Sequence, residues 1–243
     1  MTEDSSPAGA QPALSLAFFD AGAGLSGQLR EGLTLLFRGD RAEALDGAEA
    51  LEPAGDGFRA ELSGREDLAF EPIGPAVDLG VAAVRPCRVT GTVGGKAIDC
   101  LGTAAETLEP PDWAGLDALR AICALFPPDR ALLAAASRPL GAAGHGEERV
   151  SAALVEAGEA SMAEEARLST VYDSDGRQRS LTLEVVLPGE DFPRRAFGQA
   201  LAGTTLELED LTVHAASFSF RMEGRDGLGA YDVTARAPRP AAA

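Results

Sequence analysis

Three segments of the sequence concentrate arginine together with carboxylate side chains and could bind an anionic group. They are Arg177-Gln178-Arg179, Arg194-Arg195 and residues 221–226, which include Arg221 and Glu223. Arginine presents five donors in a rigid fork that matches a carboxylate or a phosphate. Such a cluster at the mouth of a cavity could anchor the acidic head group of an apolar ligand. The alternative is cross-strand ion pairing at the surface, where each pair contributes little to stability.

The histidines and cysteines form no recognisable metal or disulfide pattern. Cys87, Cys100 and Cys123 are odd in number and widely spaced, so we expect reduced thiols, no zinc site and no cofactor. His145 lies among glycines and a glutamate, as in an exposed loop. His214 shares a predicted strand face with two phenylalanines, so it is either a buried histidine with one hydrogen bond or a ligand contact. No GxSxG elbow marks a serine nucleophile, which disfavours a hydrolase.

The composition limits the classes of partner. The chain has 243 residues, 38 acidic and 21 basic side chains and a formal charge of −17, and Lys96 is its only lysine. Because duplex binding needs a positive face, this charge argues against a nucleic-acid partner. The N-terminus is acidic and polar, unlike a secretory signal, and no apolar stretch is long enough to span a bilayer. We therefore expect a cytoplasmic protein without membrane insertion.

Turn signals recur at short intervals along the chain, which is typical of an antiparallel all-β protein. The clearest is Gly94-Gly95 between two extended runs, which predicts a two-residue type I′ hairpin because both turn residues need a positive φ. Further hairpins are predicted at residues 173–176 and at Glu209-Asp210. A turn over residues 224–229 is expected to lead into a closing strand over 230–236.

Two segments are ambiguous. Residues 114–137 are rich in alanine and leucine and fit either a helix or a pair of strands, and the turn chemistry of Pro127-Pro128 favours the strands. Residues 156–165 fit either a helix or an acidic hairpin. Residues 1–12 and 237–243 lack periodicity and are expected to be disordered tails.

Several motifs follow one another in an order that resembles a known family. They are Cys100-Leu101-Gly102, Pro111-Asp112-Trp113, Arg138-Pro139, the acidic loop at His145, the run from Arg167 through Tyr172 to Asp173, and the two closing segments 221–225 and 229–233. This order resembles the tandem lipocalin-like proteins related to carotenoid 1,2-hydratases of the hydroxyneurosporene synthase type and to AttH-like domains. The resemblance covers roughly residues 85–235.

The resemblance implies an all-β fold of two consecutive antiparallel lipocalin-like (calycin) β-barrels or half-barrels, over residues 13–108 and 109–236. It also implies that each is half-closed around an apolar cavity or around the seam between them. Enzymes of the wider group include terpenoid hydratases, cyclases and Diels-Alderases. In hydratase-like members an Asp-His pair and a Trp-Gly pair follow the glycine, whereas residues 103–109 here contain neither. Glu106 or Asp112 could supply a proton instead, provided that burial raises the pKa of the carboxyl group.

We therefore expect a protein that binds an apolar small molecule, such as a lipid or isoprenoid, in a β-barrel cavity without catalysis. The alternatives are a hydratase, isomerase or cyclase of terpenoid-like substrates that uses a buried carboxylic acid, and a structural or partner-binding protein without a ligand. The expected ligand-binding residues are Trp113, Arg138, Tyr172, His214, Arg221 and Glu223. Trp113 either stacks on the ligand or plugs one end of a barrel.

Overall fold

A computed structural model describes residues 13–48, 50–62, 66–143, 145–208 and 210–236 of the chain. Most of these residues lie in β-strands of two curled antiparallel sheets, and the only helix among them is a short 3-10 turn at His145–Glu147. This confirms the predicted all-β fold and its pair of half-barrels. The tails predicted at residues 1–12 and 237–243 lie outside the described residues.

The first sheet contains the first ten strands. They are β1 (Leu14–Asp20), β2 (Leu25–Arg30), β3 (Leu33–Arg38), β4 (Arg41–Leu45), β5 (Ala50–Ala54), β6 (Gly57–Leu62), β7 (Glu66–Pro72), β8 (Val77–Asp78), β9 (Ala82–Val93) and β10 (Lys96–Thr107). Their order across the sheet is β4-β3-β2-β1-β10-β9-β7-β6-β5, with β8 beside β9.

The second sheet contains the other nine strands. They are β11 (Leu116–Phe126), β12 (Arg130–Pro139), β13 (Arg149–Glu156), β14 (Glu159–Met162), β15 (Glu165–Tyr172), β16 (Gln178–Val186), β17 (Arg194–Leu208), β18 (Leu211–Met222) and β19 (Arg225–Arg236). Their order is β14-β13-β12-β11-β19-β18-β17-β16-β15.

The two sheets share one topology. In each, three strands follow the first strand outward, the chain crosses to the opposite edge, and the remaining strands return until the last one pairs with the first. That final pairing joins β1 to β10 in the first half and β11 to β19 in the second. The protein therefore consists of two halves of similar architecture, although the sequence shows no simple short repeat.

A two-residue hairpin precedes the last strand of each half. Gly94 and Gly95 have φ values of 60° and 71°, which confirms the predicted type I′ turn. Glu223 and Gly224 occupy the equivalent turn with φ values of 51° and 79°. The second turn therefore closes at residues 223–224, earlier than the sequence analysis predicted.

The closing strand begins at Arg225, and two of the glycines that resemble turn signals lie inside it. A Cβ on Gly229 would lie 1.8 Å from the carbonyl oxygen of Cys123, and one on Gly227 would lie 2.3 Å from that of Leu125. Both glycines therefore allow close approach of β19 to β11 rather than a turn. The prediction of a turn over residues 224–229 was wrong for this reason.

Both ambiguous segments are strands. β11 and β12 form the predicted strand pair on either side of Pro127-Pro128. Their long apolar runs have both faces buried, which explains why they lack a clear alternation. The acidic segment at residues 156–165 contains the hairpin from β13 to β14, which turns at Ala157-Gly158.

Aromatic side chains fill the interior of the second half. Phe218 is fully buried, and its ring centroid lies 5.8 Å from that of Phe220 and 5.6 Å from that of Tyr231. The Tyr231 hydroxyl lies 2.7 Å from the Thr170 hydroxyl, so its polar end has a partner. Phe18 and Phe70 are fully buried in the first half.

We predict that Phe218→Ala lowers the free energy of unfolding by about 3–5 kcal/mol, because it leaves a cavity among well-packed rings. Phe192→Ala is the matched control, since Phe192 is 82% exposed, and its effect should stay within about 0.5 kcal/mol. Urea unfolding of both variants measures the difference. Equal effects would contradict this description of the interior.

Candidate ligand site between the two halves

The two halves pack against each other through the strands that close them and through a second apolar cluster that joins β3 to β17 and β18. Because side chains alternate along a strand, each closing strand presents one face to the interior of its own half and the other to the second half. Phe18 and Tyr231 belong to the two interiors, whereas their neighbours Phe19 and Ala230 belong to the cluster between the halves. We call this contact region, formed mainly by β1, β2, β10, β11, β12 and β19, the seam.

A groove of about 680 Å³ opens at one end of the seam. We call it the seam groove. Its apolar lining comes from both halves and includes Phe19, Leu101, Leu125, Phe220 and Leu228. Its polar lining includes Asp20, Asp99, Gln199, Ser219, Arg221 and Asp226.

A smaller recess of about 140 Å³, the seam cavity, lies further along the same strands. Its apolar lining includes Ala17, Val84, Ile122, Cys123 and Ala230. Its polar lining includes Gln28, Arg30, Thr103 and Asp232. Ala17 and Phe19 are successive seam-facing residues of β1, so the two recesses are offset by about 7 Å along this strand.

Asp232 is the most unusual group in the seam cavity. Its Oδ1 accepts hydrogen bonds from Gln28 Nε2 at 2.9 Å and from the Ala216 N–H at 3.4 Å, and its Oδ2 accepts one from Arg30 Nη2 at 3.0 Å. Burial raises the pKa of Asp232, and the three donors act in the opposite direction. Gln28 and Arg30 belong to the first half, so this carboxylate also links the halves.

The repeat places Thr103 and Asp232 at equivalent positions. Each lies eight residues after the second turn residue of the preceding hairpin, from 95 to 103 and from 224 to 232. Both side chains line the seam cavity. The cavity is therefore built from corresponding positions of the two last strands, with a hydroxyl from one half and a carboxylate from the other.

The candidate proton donors lie outside both recesses. Glu106 is half-buried near the end of β10, opposite Leu14 in the adjacent strand β1. Asp112 is exposed, and its carboxylate accepts a hydrogen bond from the Ala114 N–H at 3.0 Å. The nearby Trp113 is half-buried, and its carbonyl oxygen accepts a hydrogen bond from the Arg236 guanidinium. The predicted roles of Glu106 and Asp112 as proton donors and of Trp113 as a ligand contact stay predictions.

Arg138 and Tyr172, two further candidates, lie at the end of the second half that is opposite the turn between β11 and β12. Arg138 Nη2 donates a hydrogen bond to the Ala142 carbonyl at 3.0 Å. The ring centroid of Tyr172 lies 5.9 Å from the guanidinium carbon of Arg120, a cation–π distance. Arg120 itself forms a buried bidentate ion pair with Glu148. Neither candidate lines the groove or the cavity.

The remaining candidates differ in location. His214 Nδ1 lies 2.9 Å from the Thr205 hydroxyl, and burial lowers the pKa of its imidazole. Arg221 is exposed and lines the seam groove. Glu223 accepts a hydrogen bond from Arg130 at 2.7 Å and so belongs to an ion-pair network. Of the predicted ligand-binding residues, the groove lining thus contains Arg221.

The cysteine thiols and the possible metal ligands form no cluster among the residues that the structure describes. Burial raises the pKa of Cys87, Cys100 and Cys123 to about 12, which keeps these thiols protonated. Within the described ranges, histidine, cysteine and carboxylate side chains do not gather in groups of three or more that could hold a metal ion. In the same part of the chain no helix is long and apolar enough to cross a membrane.

Solved structures identify the fold. The chain superposes on a protein provisionally assigned as AttH from Nitrosomonas europaea with a TM-score of 0.55 and 13% identity, over 93% of each chain. It superposes on kievitone hydratase from Nectria haematococca with a TM-score of 0.55 and 10% identity, over 93% of this chain and 89% of that one. The protein has the AttH-like, tandem lipocalin-like fold.

The AttH-like fold is shared at low sequence identity, and it specifies architecture rather than activity. No family model matches the sequence. No curated protein matches it either. The function of this chain therefore depends on the chemistry of its own groove and cavity.

We predict that Asp232→Asn changes how stability depends on pH. Since the pKa of Asp232 is raised in the folded state, the folded protein retains a proton that the unfolded chain has lost. The wild type should therefore lose stability relative to Asp232→Asn as the pH rises from about 4, the ordinary aspartate pKa, through the raised value. Urea unfolding of both proteins between pH 4 and 8 measures this difference. The opposite trend would show that the three donors outweigh burial.

Proposed function

We propose that the protein binds a neutral, apolar small molecule in the seam groove, without catalysis. The observation that carries this proposal is the groove itself, whose volume of about 680 Å³ falls within the range of small-molecule sites, roughly 300–1,000 Å³. Its apolar lining comes from both halves. The groove lies between the half-barrels, which is one of the two locations that the family resemblance implies.

The packing of the interiors supports this location. Each half has its own cluster of buried apolar side chains, and in the second half that cluster includes Phe126, Phe218 and Tyr231. A ligand inside a half would have to displace these side chains. The seam groove requires no such displacement, because part of its apolar lining, such as the exposed Phe197, is already accessible.

The charges around the groove favour a neutral ligand. Asp20, Asp99 and Asp226 line it together with a single arginine, Arg221. Arg221 Nε lies 3.9 Å from Asp226 Oδ1, so its charge is already partly balanced. An anionic head group would meet an excess of carboxylates, which disfavours fatty acids relative to neutral isoprenoids or esters.

A proton-transfer enzyme is the second candidate, and Asp232 favours it. A buried carboxyl group with a raised pKa that faces a cavity is the feature expected of an acid in a hydratase or isomerase. Three donors already occupy this carboxylate, however, and each of them favours its ionised form. The contacts of Asp232 therefore favour a role as a hydrogen-bond acceptor over that of a proton donor.

We predict that Nile red, a neutral apolar dye, binds in the seam groove and becomes fluorescent there. Ser219→Trp would place an indole in the groove and should weaken binding at least tenfold, or by about 1.4 kcal/mol. Ser169→Trp is the matched control, because Ser169 is exposed on β15 and lies outside the groove. Fluorescence titration of the three proteins measures the dissociation constants.

The outcomes separate the proposed functions. Binding that Ser219→Trp abolishes and Ser169→Trp leaves intact supports a ligand site in the groove. No binding to the wild type would favour a structural or partner-binding role. Equal weakening by both substitutions would place the dye elsewhere on the protein.

A further inference from the structure

Arg221 lines the seam groove with hydrogen-bond donors that the protein leaves unfilled. Its side chain is 70% exposed, and its guanidinium forms no hydrogen bond with any residue that the structure describes. Its Nε lies 3.9 Å from Asp226 Oδ1, which is too long for a hydrogen bond. Since a guanidinium carries five N–H donors and no acceptor, Arg221 offers the groove a set of free donors.

Asp226 balances the charge of Arg221 without using its donors. Opposite charges at 3.9 Å still attract each other, so a second negative charge near Arg221 would gain less from it. Asp20 and Asp99 also line the groove and would repel an anion. A carbonyl oxygen, by contrast, accepts from a free donor without bringing a charge. The groove therefore favours a neutral acceptor over a carboxylate or a phosphate.

Most of the other polar groups in the groove already have partners. Asp99 accepts hydrogen bonds from Arg88 at 2.8 and 2.9 Å, and Asp20 accepts from two backbone N–H groups at 2.8 and 3.4 Å. The Ser219 hydroxyl donates to the Gln199 carbonyl at 3.3 Å. The exposed Gln199 amide is a further donor, but a neutral one, and charged donors form the stronger hydrogen bonds.

The register of the strands places apolar side chains beside Arg221. Phe197 lies directly opposite it on β17, and Asp226 lies directly opposite it on β19. Leu228 follows Asp226 by two residues and so occupies the diagonal position on the same face. Phe197 is 53% exposed, and both apolar residues line the groove. Since diagonal neighbours are about 7 Å apart, a planar group of two fused rings can contact both while its carbonyl reaches Arg221.

We propose that the ligand of the seam groove carries a neutral carbonyl group, as in a ketone, an ester or a quinone, and that Arg221 donates to its oxygen. The proposal rests on the proposed function, because both concern the ligand of the same groove. It assigns a chemical class to that ligand and makes Arg221 the residue that selects it. The acidic head group that the arginine segments suggest in the sequence is replaced by an uncharged acceptor.

The naphthyl ketone Prodan and its propyl analogue test this proposal as a matched pair, because a methylene group replaces the carbonyl in the analogue. Fluorescence titration gives both dissociation constants, and their ratio in each variant cancels the difference in hydrophobicity. Arg221→Met should weaken Prodan relative to the analogue by about three- to tenfold, the net contribution of one hydrogen bond. Arg195→Met is the matched control, because Arg195 is 69% exposed, pairs with Glu184 at 2.6 Å and lies outside the groove lining.

Infrared spectroscopy detects the hydrogen bond itself. Prodan with an isotope-labelled carbonyl should show a lower stretching frequency when bound to the wild type or to Arg195→Met than when bound to Arg221→Met. A purely structural role of Arg221 would change affinity without changing this frequency. Ser219→Trp, which fills the groove, should weaken both compounds and so shows that they bind there.

Each outcome decides the proposal. A selective loss of Prodan affinity and a raised carbonyl frequency in Arg221→Met support it. An unchanged ratio and frequency, with both compounds in the groove, would overturn it and leave the proposed function intact. Tighter binding of the corresponding naphthoic acid would identify an anion site and overturn it, as would binding that Ser219→Trp leaves unaffected. Absence of binding by both compounds and by Nile red would overturn the proposed function as well.

Discussion

The pairing of the first strand with the last strand in each half determines the rest of the structure. It places β1 beside β10 and β11 beside β19, at the centre of each curled sheet. These strands then have both faces covered, one by the interior of their own half and the other by the opposite half. Alternation along the strands therefore produces two interiors and the seam between them, and a smaller cluster of β3, β17 and β18 adds to the contact between the halves.

The seam differs from the interiors in its chemistry. Large aromatic and aliphatic side chains fill the interiors, whereas the seam combines small apolar residues with a few polar groups. Ser26 donates to Ser217 at 2.9 Å, and Asp232 accepts from Gln28 and Arg30, so hydrogen bonds cross from one half to the other. Removing a buried carboxylate from water is costly, and these donors offset part of that cost. Small residues and fixed polar groups together leave the space that the groove and the cavity occupy.

Much of the fold could be predicted from local chemistry, but the candidate site could not. Gly94-Gly95 specifies its hairpin whatever surrounds it, and Pro127-Pro128 separates two strands. Asp232, in contrast, alternates with Tyr231 along a strand, so from the sequence alone it reads as a solvent-facing residue. Only the second half's contact with the first covers that face, and no local pattern encodes this contact. The one signal that the sequence offers is the similarity of the two last strands, which gives Asp232 the position in the second half that Thr103 has in the first.

Under the proposed function, the ligand-binding space of this fold lies between the two half-barrels rather than within them. A crystal structure of the protein with bound Nile red tests this claim about the location. It should show the dye against Leu101, Phe197 and Leu228, with the side chains of both interiors in place. Dye inside either half, with Phe218 or Phe18 displaced, would contradict the claim.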